Sequence, residues 1–152
     1  MTVTIRLVTD LPTSPDRAFA LSLDIGAHLR SMAATGEQAV AGTTSGTIGL
    51  GESVTWRARH LGVVWRMTSQ VTALEAPHRF VDEQVRGPFA RFRHEHTFAA
   101  VPGGTRMVDE VVFRAPLGVL GRIAEALVLR RYLRRLIAER NRSLAAELAP
   151  AS

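Results

Sequence analysis

Residues 92–98 read Phe-Arg-His-Glu-His-Thr-Phe. Phe92, His94, His96 and Phe98 recur at a spacing of two, so a β-strand places all four on one face. The two phenylalanines mark that face as buried, and Arg91, Arg93, Glu95 and Thr97 go outward. In the next strand-like run Met107, Asp109, Val111 and Phe113 share a face and point inward for the same reason. A hairpin at 101–104 would bring Asp109 near His94 or His96, in a register that the sequence leaves open. Two imidazoles with a nearby carboxylate can hold a zinc-like metal, act as an acid/base pair whose Asp orients the His tautomer, or form a polar network stabilising the sheet. No third histidine is evident nearby. The favoured reading is a network that also orients a ligand, with no metal and no cofactor. In an enzyme, His94 or His96 would be the base and Asp109 its orienter.

Other residues supply walls. Trp56, Ala58 and His60 share one face, as do Trp65, Met67, Ser69 and Val71. Aromatic and Met side chains suit an apolar ligand. Arg57, Arg59 and Arg66 alternate with them and read as the outer face; an inward Arg66 would grip a ligand carboxylate through two bonds. In Asp82-Glu83-Gln84, alternation sets Phe80, Asp82 and Gln84 on one side and Val81, Glu83 and Val85 on the other. One acid could face the interior, and Glu83 has the apolar neighbours; surface turn charges are the plainer reading. Gly46–Gly51 is glycine-rich but lacks the spacing, the lysine and the strand-to-helix setting of a phosphate loop. Ser14, Ser45 and Ser69 have no hydrolase signature around them.

These side chains need a sheet and a cover. Val3–Leu11 begins with strand alternation and stops at Pro12. Ser14-Pro15-Asp16 is a helix start, with Ser as the cap, Pro in the first turn and Asp at the positive end. Asp24 caps a second short helix reaching about Met32. Period-two strands are predicted near Glu37–Ile48, Gly51–His60, Val63–Glu75, Arg79–Val85, Phe89–Ala100 and Thr105–Arg114. Leu61-Gly62 is a two-residue hairpin turn. Short turns between consecutive strands imply an antiparallel meander of about seven strands. Val119–Leu148 then reads as one helix with a stripe of Ala126, Leu133, Ile137, Leu144 and Leu148. Arg131, Arg134, Arg135 and Arg142 lie opposite. Leu120, Ile123 and Leu127 sit off the stripe, and Pro116–Gly121 could form a mobile gate to a cavity. A curved sheet closed by one helix leaves a space between them. The fold class is α+β, one domain over residues 1–152.

Composition narrows the function. The chain has 152 residues and net charge +5; all 19 basic residues are arginine, and there is no cysteine. This excludes disulfides, thiolate ligands and a cysteine nucleophile. No apolar run is long enough to span a membrane, and no signal sequence opens the chain, so a cytoplasmic location is expected. Residues 1–117 carry 12 Arg against 11 acids, while residues 118–152 carry 7 Arg against 3 acids. The charge therefore belongs to the C-terminal helix. Its other face is committed to the sheet, so a nucleic-acid reading is disfavoured.

The order of elements, Trp56 within SVTWRARHLG, the stretches PHRFVDEQVRGPFARFRHEHTF (77–98) and GGTRMVDEVVFRAPLGVLGR (103–122), and the closing RRYLRRLIAERNRSLAAEL together resemble the helix-grip START/Bet v 1 (SRPBCC) superfamily, in its bacterial cyclase/dehydrase or ligand-binding branch. The resemblance implies a hydrophobic cavity, and fold alone does not choose among the superfamily's activities. The expected function is binding of a small hydrophobic or aromatic molecule, lipid-like or polyketide-like. Trp56, His60, Trp65, Met67, Phe92, Phe98, Phe113, Leu120 and Ile123 are the expected lining, and His94, His96 and Asp109 the polar anchors. The alternative is a polyketide cyclase/aromatase/dehydrase-like enzyme using His94 and His96 as acid and base. A homodimer is compatible with either.

Overall fold

The computed structural model describes residues 2–115 and 122–150, and the side chains of 122–125 lie outside that description. Strand β1 (Thr2–Leu11) leads into helices α1 (Pro15–Ser22) and α2 (Ile25–Ser31) and a short 3-10 turn at Ala33–Thr35. Strands β2 (Gln38–Gly42), β3 (Ser53–His60), β4 (Val63–Glu75), β5 (Arg79–Arg86), β6 (Arg91–Val101) and β7 (Gly104–Arg114) follow, then helix α3 (Arg122–Leu148). All seven strands form one antiparallel sheet in the order β1-β7-β6-β5-β4-β3-β2. This is the expected α+β helix-grip architecture. The first strand of the chain docks beside the last, so β1 and β2 are the edges.

The caps read from sequence are in place. Ser14 Oγ accepts from Arg17 N at 3.5 Å and Asp24 Oδ1 from Ala27 N at 2.7 Å, satisfying amide groups that a helix start leaves free. Leu61 and Gly62 form the β3–β4 turn with positive φ at both residues (52° and 77°), the backbone that matches strand twist in a two-residue hairpin.

Two strand boundaries differ from expectation. The second strand was expected to run to Ile48 but ends at Gly42, whose φ of 74° turns the chain out of the ladder. The following loop folds back: Ile48 N donates to Leu23 O at 3.1 Å and the Ile48 side chain enters the core. Phe89 and Ala90 belong to the β5–β6 turn, not to β6. Gln84 pins that turn, donating to Phe89 O at 2.8 Å and accepting from Phe89 N at 3.2 Å.

The sheet's buried face meets α3 through two apolar clusters. One gathers Phe19, Leu23, Phe80, Phe98, Met107, Leu144 and Leu148; the other gathers Ile5, Phe92, Val111, Phe113 and Ile137. Strands β1, β6 and β7 and helix α3 pass through both, and the last three change character sharply between them. On β6, His94 and His96 separate Phe92 from Phe98; on β7, Asp109 separates Val111 from Met107; on α3, Arg140 and Asn141 separate Ile137 from Leu144. A belt of buried polar groups thus crosses the core. Outward, Arg131, Arg134, Arg135 and Arg142 are exposed.

The β6–β7 hairpin tip has little room. A β-carbon at Gly104 would overlap Leu11 O, a backbone atom that cannot yield. Gly104→Ala is expected to cost about 2 kcal/mol of stability, read from the urea midpoint. Gly103→Ala is the comparison, because there the strain comes from its φ of 85° and a β-carbon meets nothing.

Candidate functional site

A cavity of about 220 Å³ lies between the sheet and α3. That exceeds the roughly 150 Å³ that accommodates benzene in an apolar core. Trp56, Ala58, His60, Trp65, Met67 and Phe92 contribute walls from β3, β4 and β6. Leu129, Leu133, Leu136 and Ile137 contribute the α3 side, and Leu23, Ile25 and Met32 close the end nearest α1 and α2. The polar belt forms its floor through Asp82, His94, His96 and Arg140.

The register places His96 opposite Asp109 on β7 and Phe80 on β5, and His94 opposite Asp82. The hydrogen bonds run diagonally. His94 Nε2 pairs with Asp109 Oδ1 at 2.7 Å, and His96 Nε2 with Asp82 Oδ2 at 2.9 Å. His96 Nδ1 lies 3.2 Å from Asp109 Oδ1 but off the angle of a hydrogen bond, so only charge attraction acts there. The imidazoles stack on each other at 3.7 Å, and His96 stacks on Phe80 at 4.0 Å. From α3, Arg140 Nη1 donates to Asp109 Oδ1 at 3.2 Å and Asn141 Nδ2 to Asp109 Oδ2 at 2.8 Å. Asn141 Nδ2 also reaches Thr9 Oγ1 at 3.0 Å, which ties β1 into the belt.

Electrostatics distribute one proton between the rings. Burial pushes the Asp109 carboxyl up, but His94, His96 and the Arg140 charge outweigh it and hold it well below the usual carboxylate range. Burial likewise raises Asp82, and the His96 bond and charge bring it below its ordinary value. Burial lowers His96, yet the Asp109 and Asp82 carboxylates raise it overall. His94, desolvated and facing the His96 charge, is pushed down to about 4. His96 therefore holds a second proton more readily than a free imidazole and His94 less readily, beside two carboxylates and one guanidinium. Ionised Asp109 can only accept, so it fixes the proton of His94 on Nε2 and leaves Nδ1 as an acceptor.

A second set of polar groups also lines the cavity. His28 Nε2 pairs with Glu37 Oε1 at 3.0 Å and its ring packs on Trp56 at 4.2 Å. His60 Nδ1 meets Tyr132 Oη at 2.7 Å, joining β3 to α3, while Trp65 Nε1 donates to His60 O at 3.0 Å. Burial lowers His60 and raises Tyr132.

Asp82, His94 and His96 bring donor atoms within 4.8 Å of one another, the raw material of a metal site. Their geometry opposes it. Imidazole lone pairs lie in the ring plane, and these planes are 24° from parallel at 3.7 Å separation. A metal in one plane lies far out of the other, and the Arg140 charge adds repulsion.

Of the expected lining, Trp56, His60, Trp65, Met67, Phe92, His94 and His96 are brought to the cavity. Phe98 is not: it packs on Phe19 and Phe80 at 5.5 and 6.1 Å in the first cluster. Phe113 is not either: it is fully buried in the second cluster, against Phe89 at 5.7 Å. Both share an inward face with cavity residues but sit where the core closes. Asp109 is 1% exposed and lies beneath the histidines as their anchor, not on the wall. Leu120 falls outside the described residues, as does the expected gate at 116–121; Ile123 is in α3 with its side chain outside them. Of Asp82 and Glu83, it is Asp82 that lines the cavity, and Arg66 is exposed.

Two further buried groups of the site, Arg140 and Asn141, are not among the residues expected from the sequence, yet the helix pattern carries a signal for them. The α3 stripe steps from Ile137 to Leu144, and the skipped positions 140 and 141 lie on that same face.

A family model described as polyketide cyclase / dehydrase and lipid transport matches residues 2–149. The chain belongs to this family. No curated protein sequence matches it significantly. Among solved structures, the chain is similar to the Zhui aromatase/cyclase from a Streptomyces species. The TM-score is 0.79 and the identity 14%, over 97% of this chain and 94% of that one. The protein TTHA0849 from Thermus thermophilus gives 0.75 and 18%, over 97% and 100%. A START superfamily protein from Mycobacterium smegmatis gives 0.72 and 11%, over 95% and 96%. At these identities the likeness shows the fold alone. With the family match, that fold is one for hydrophobic ligands. No described helix is long and apolar enough to cross a membrane.

Proposed function

We propose that the chain binds a small hydrophobic or aromatic molecule in the cavity between the sheet and α3. The cavity itself carries the reading: aromatic and aliphatic walls stand over a floor of four polar side chains. On this reading the chain is one ligand-binding domain over residues 1–152 that works in the cytoplasm, and the arginines on the outer face of α3 keep it soluble.

Both tryptophans of the chain line the cavity, so occupancy should change intrinsic fluorescence. Native mass spectrometry of gently purified protein is expected to show a bound small molecule. A library of one- and two-ring apolar compounds is expected to raise the melting temperature and quench tryptophan emission. A chain that carries no ligand and responds to no compound in either assay would sink the reading.

One observation favours a second reading, an acid/base enzyme of cyclase or dehydrase type. Neutral His94 presents Nδ1 as an acceptor while Asp109 fixes its other nitrogen, the arrangement of an oriented general base. His94→Ala should then abolish turnover of a poly-β-ketone substrate in a folded protein. Unchanged turnover removes His94 from any mechanism.

A further inference from the structure

The belt pairs its polar groups with one another yet leaves one strong donor edge unused. Arg140 is 6% exposed and lines the cavity. Its Nη1 donates to Asp109 Oδ1 and to Asn141 Oδ1 at 3.3 Å. Its Nε and Nη2 make no hydrogen bond among the described residues, and neither is sealed off from the cavity. A guanidinium stays protonated in a protein, so these N–H groups cannot be silenced by deprotonation. Left dry and unpaired, they are a standing cost.

The chain's own carboxylates are committed. Asp109 Oδ1 accepts from His94 and Arg140 Nη1, and Oδ2 from Asn141; Asp82 is taken by His96 and, at 3.4 Å, by Ser69. The free edge needs a partner from outside. Two parallel N–H groups on one planar edge match the two oxygens of a carboxylate. A ketone or phenol offers one oxygen and fills half of it. We propose that the ligand is a hydrophobic carboxylic acid whose carboxylate is gripped by the Nε–Nη2 edge of Arg140 while its apolar body lies against Trp56, Trp65, Met67 and Phe92. The proposal rests on the cavity being a ligand site and names the chemistry of the ligand's polar end. The carboxylate-gripping role considered for Arg66 passes to an arginine that is buried. The cavity volume suits a one- or two-ring acid.

The test uses 2-naphthoate and 2-acetylnaphthalene, two probes of nearly the same shape, one a carboxylate and one a neutral ketone. Calorimetry on the full chain at pH 7 is expected to give at least about tenfold tighter binding of 2-naphthoate, as charge-assisted bonds to a buried guanidinium require. Arg140→Lys keeps the charge and a donor to Asp109 but removes the planar edge, and is expected to erase most of that preference. Equal binding of the two probes by the natural chain overturns the carboxylate and leaves the apolar site standing. Binding of neither probe overturns both. A preference that survives Arg140→Lys undiminished overturns the assignment to Arg140. Should that variant fail to fold, the comparison on the natural chain still decides the ligand class.

Discussion

Asp109→Ala is expected to lose about 3–5 kcal/mol of stability at pH 7, the cost of stranding a buried charge. Asp109 is 1% exposed and is the only acid among the described residues that touches both histidines and α3. Its removal leaves the Arg140 guanidinium without its anion, Asn141 Nδ2 without its main acceptor and His94 Nε2–H without a partner. Asp82→Ala is expected to cost much less. Asp82 has 24% of its side chain exposed, and water can replace it at His96. Asp109→Asn keeps the volume but turns an amide N–H toward donors, so it should fall between the two. Urea unfolding of the three variants gives the order. If Asp109→Ala proves no more harmful than Asp82→Ala, the belt does not converge on Asp109. The same variants, once folded, separate stability from tautomer control: Asp109→Asn no longer dictates which nitrogen of His94 holds the proton.

The fold was legible in the sequence wherever one physical rule acted alone. Ser14 and Asp24 declared helix starts because an unsatisfied amide has few other remedies. The period of two along β6 declared its inward face because Phe92 and Phe98 bracket the histidines. Legibility failed where tertiary contact decided. Alternation cannot tell an inward residue on a cavity wall from one in closed core, so Phe98 and Phe113 were expected on the wall with Phe92. It also cannot see diagonal pairing, which couples His94 to Asp109 and His96 to Asp82 rather than each to its opposite number. For Asp82 and Glu83 surface turn charge is the plainer sequence reading, and the apolar neighbours of Glu83 share its own face; the cavity lies on the face of Phe80 and Asp82. The outer-face arginines named from the sequence do not include Arg140; its place on the stripe, three residues after Ile137, points inward, and it is buried.

The two stacked histidines should give the chain a stability optimum near pH 6.5, with limbs of different origin. His94 titrates near 6.5 when unfolded and at about 4 when folded. Between those values the unfolded chain binds more protons, so stability falls as pH drops from 6.5 to 4. The loss amounts to about 3 kcal/mol at 1.36 kcal/mol per unit. His60, lowered by burial, adds to the same limb. His96 has the opposite sign. Its folded value is raised, so its contribution is full below 6.5 and is lost as pH climbs through that raised value. Asp82 and Asp109, held below their ordinary values, begin to lose theirs only when pH falls under about 3.9. Urea midpoints from pH 4 to 8.5 should trace both limbs. His94→Gln keeps a donor for Asp109 and cannot titrate, so it should remove most of the acid limb and leave the alkaline one. Ring-proton shifts in the natural chain should show His96 titrating above 6.5 and His94 far below it. The physical reason is local: a cation on His96, lying 3.7 Å from the neighbouring ring, opposes a second proton there. A flat profile from 6.5 to 4, or the two rings titrating in reverse order, would place the proton on the wrong histidine and with it the free acceptor that the cavity offers a ligand.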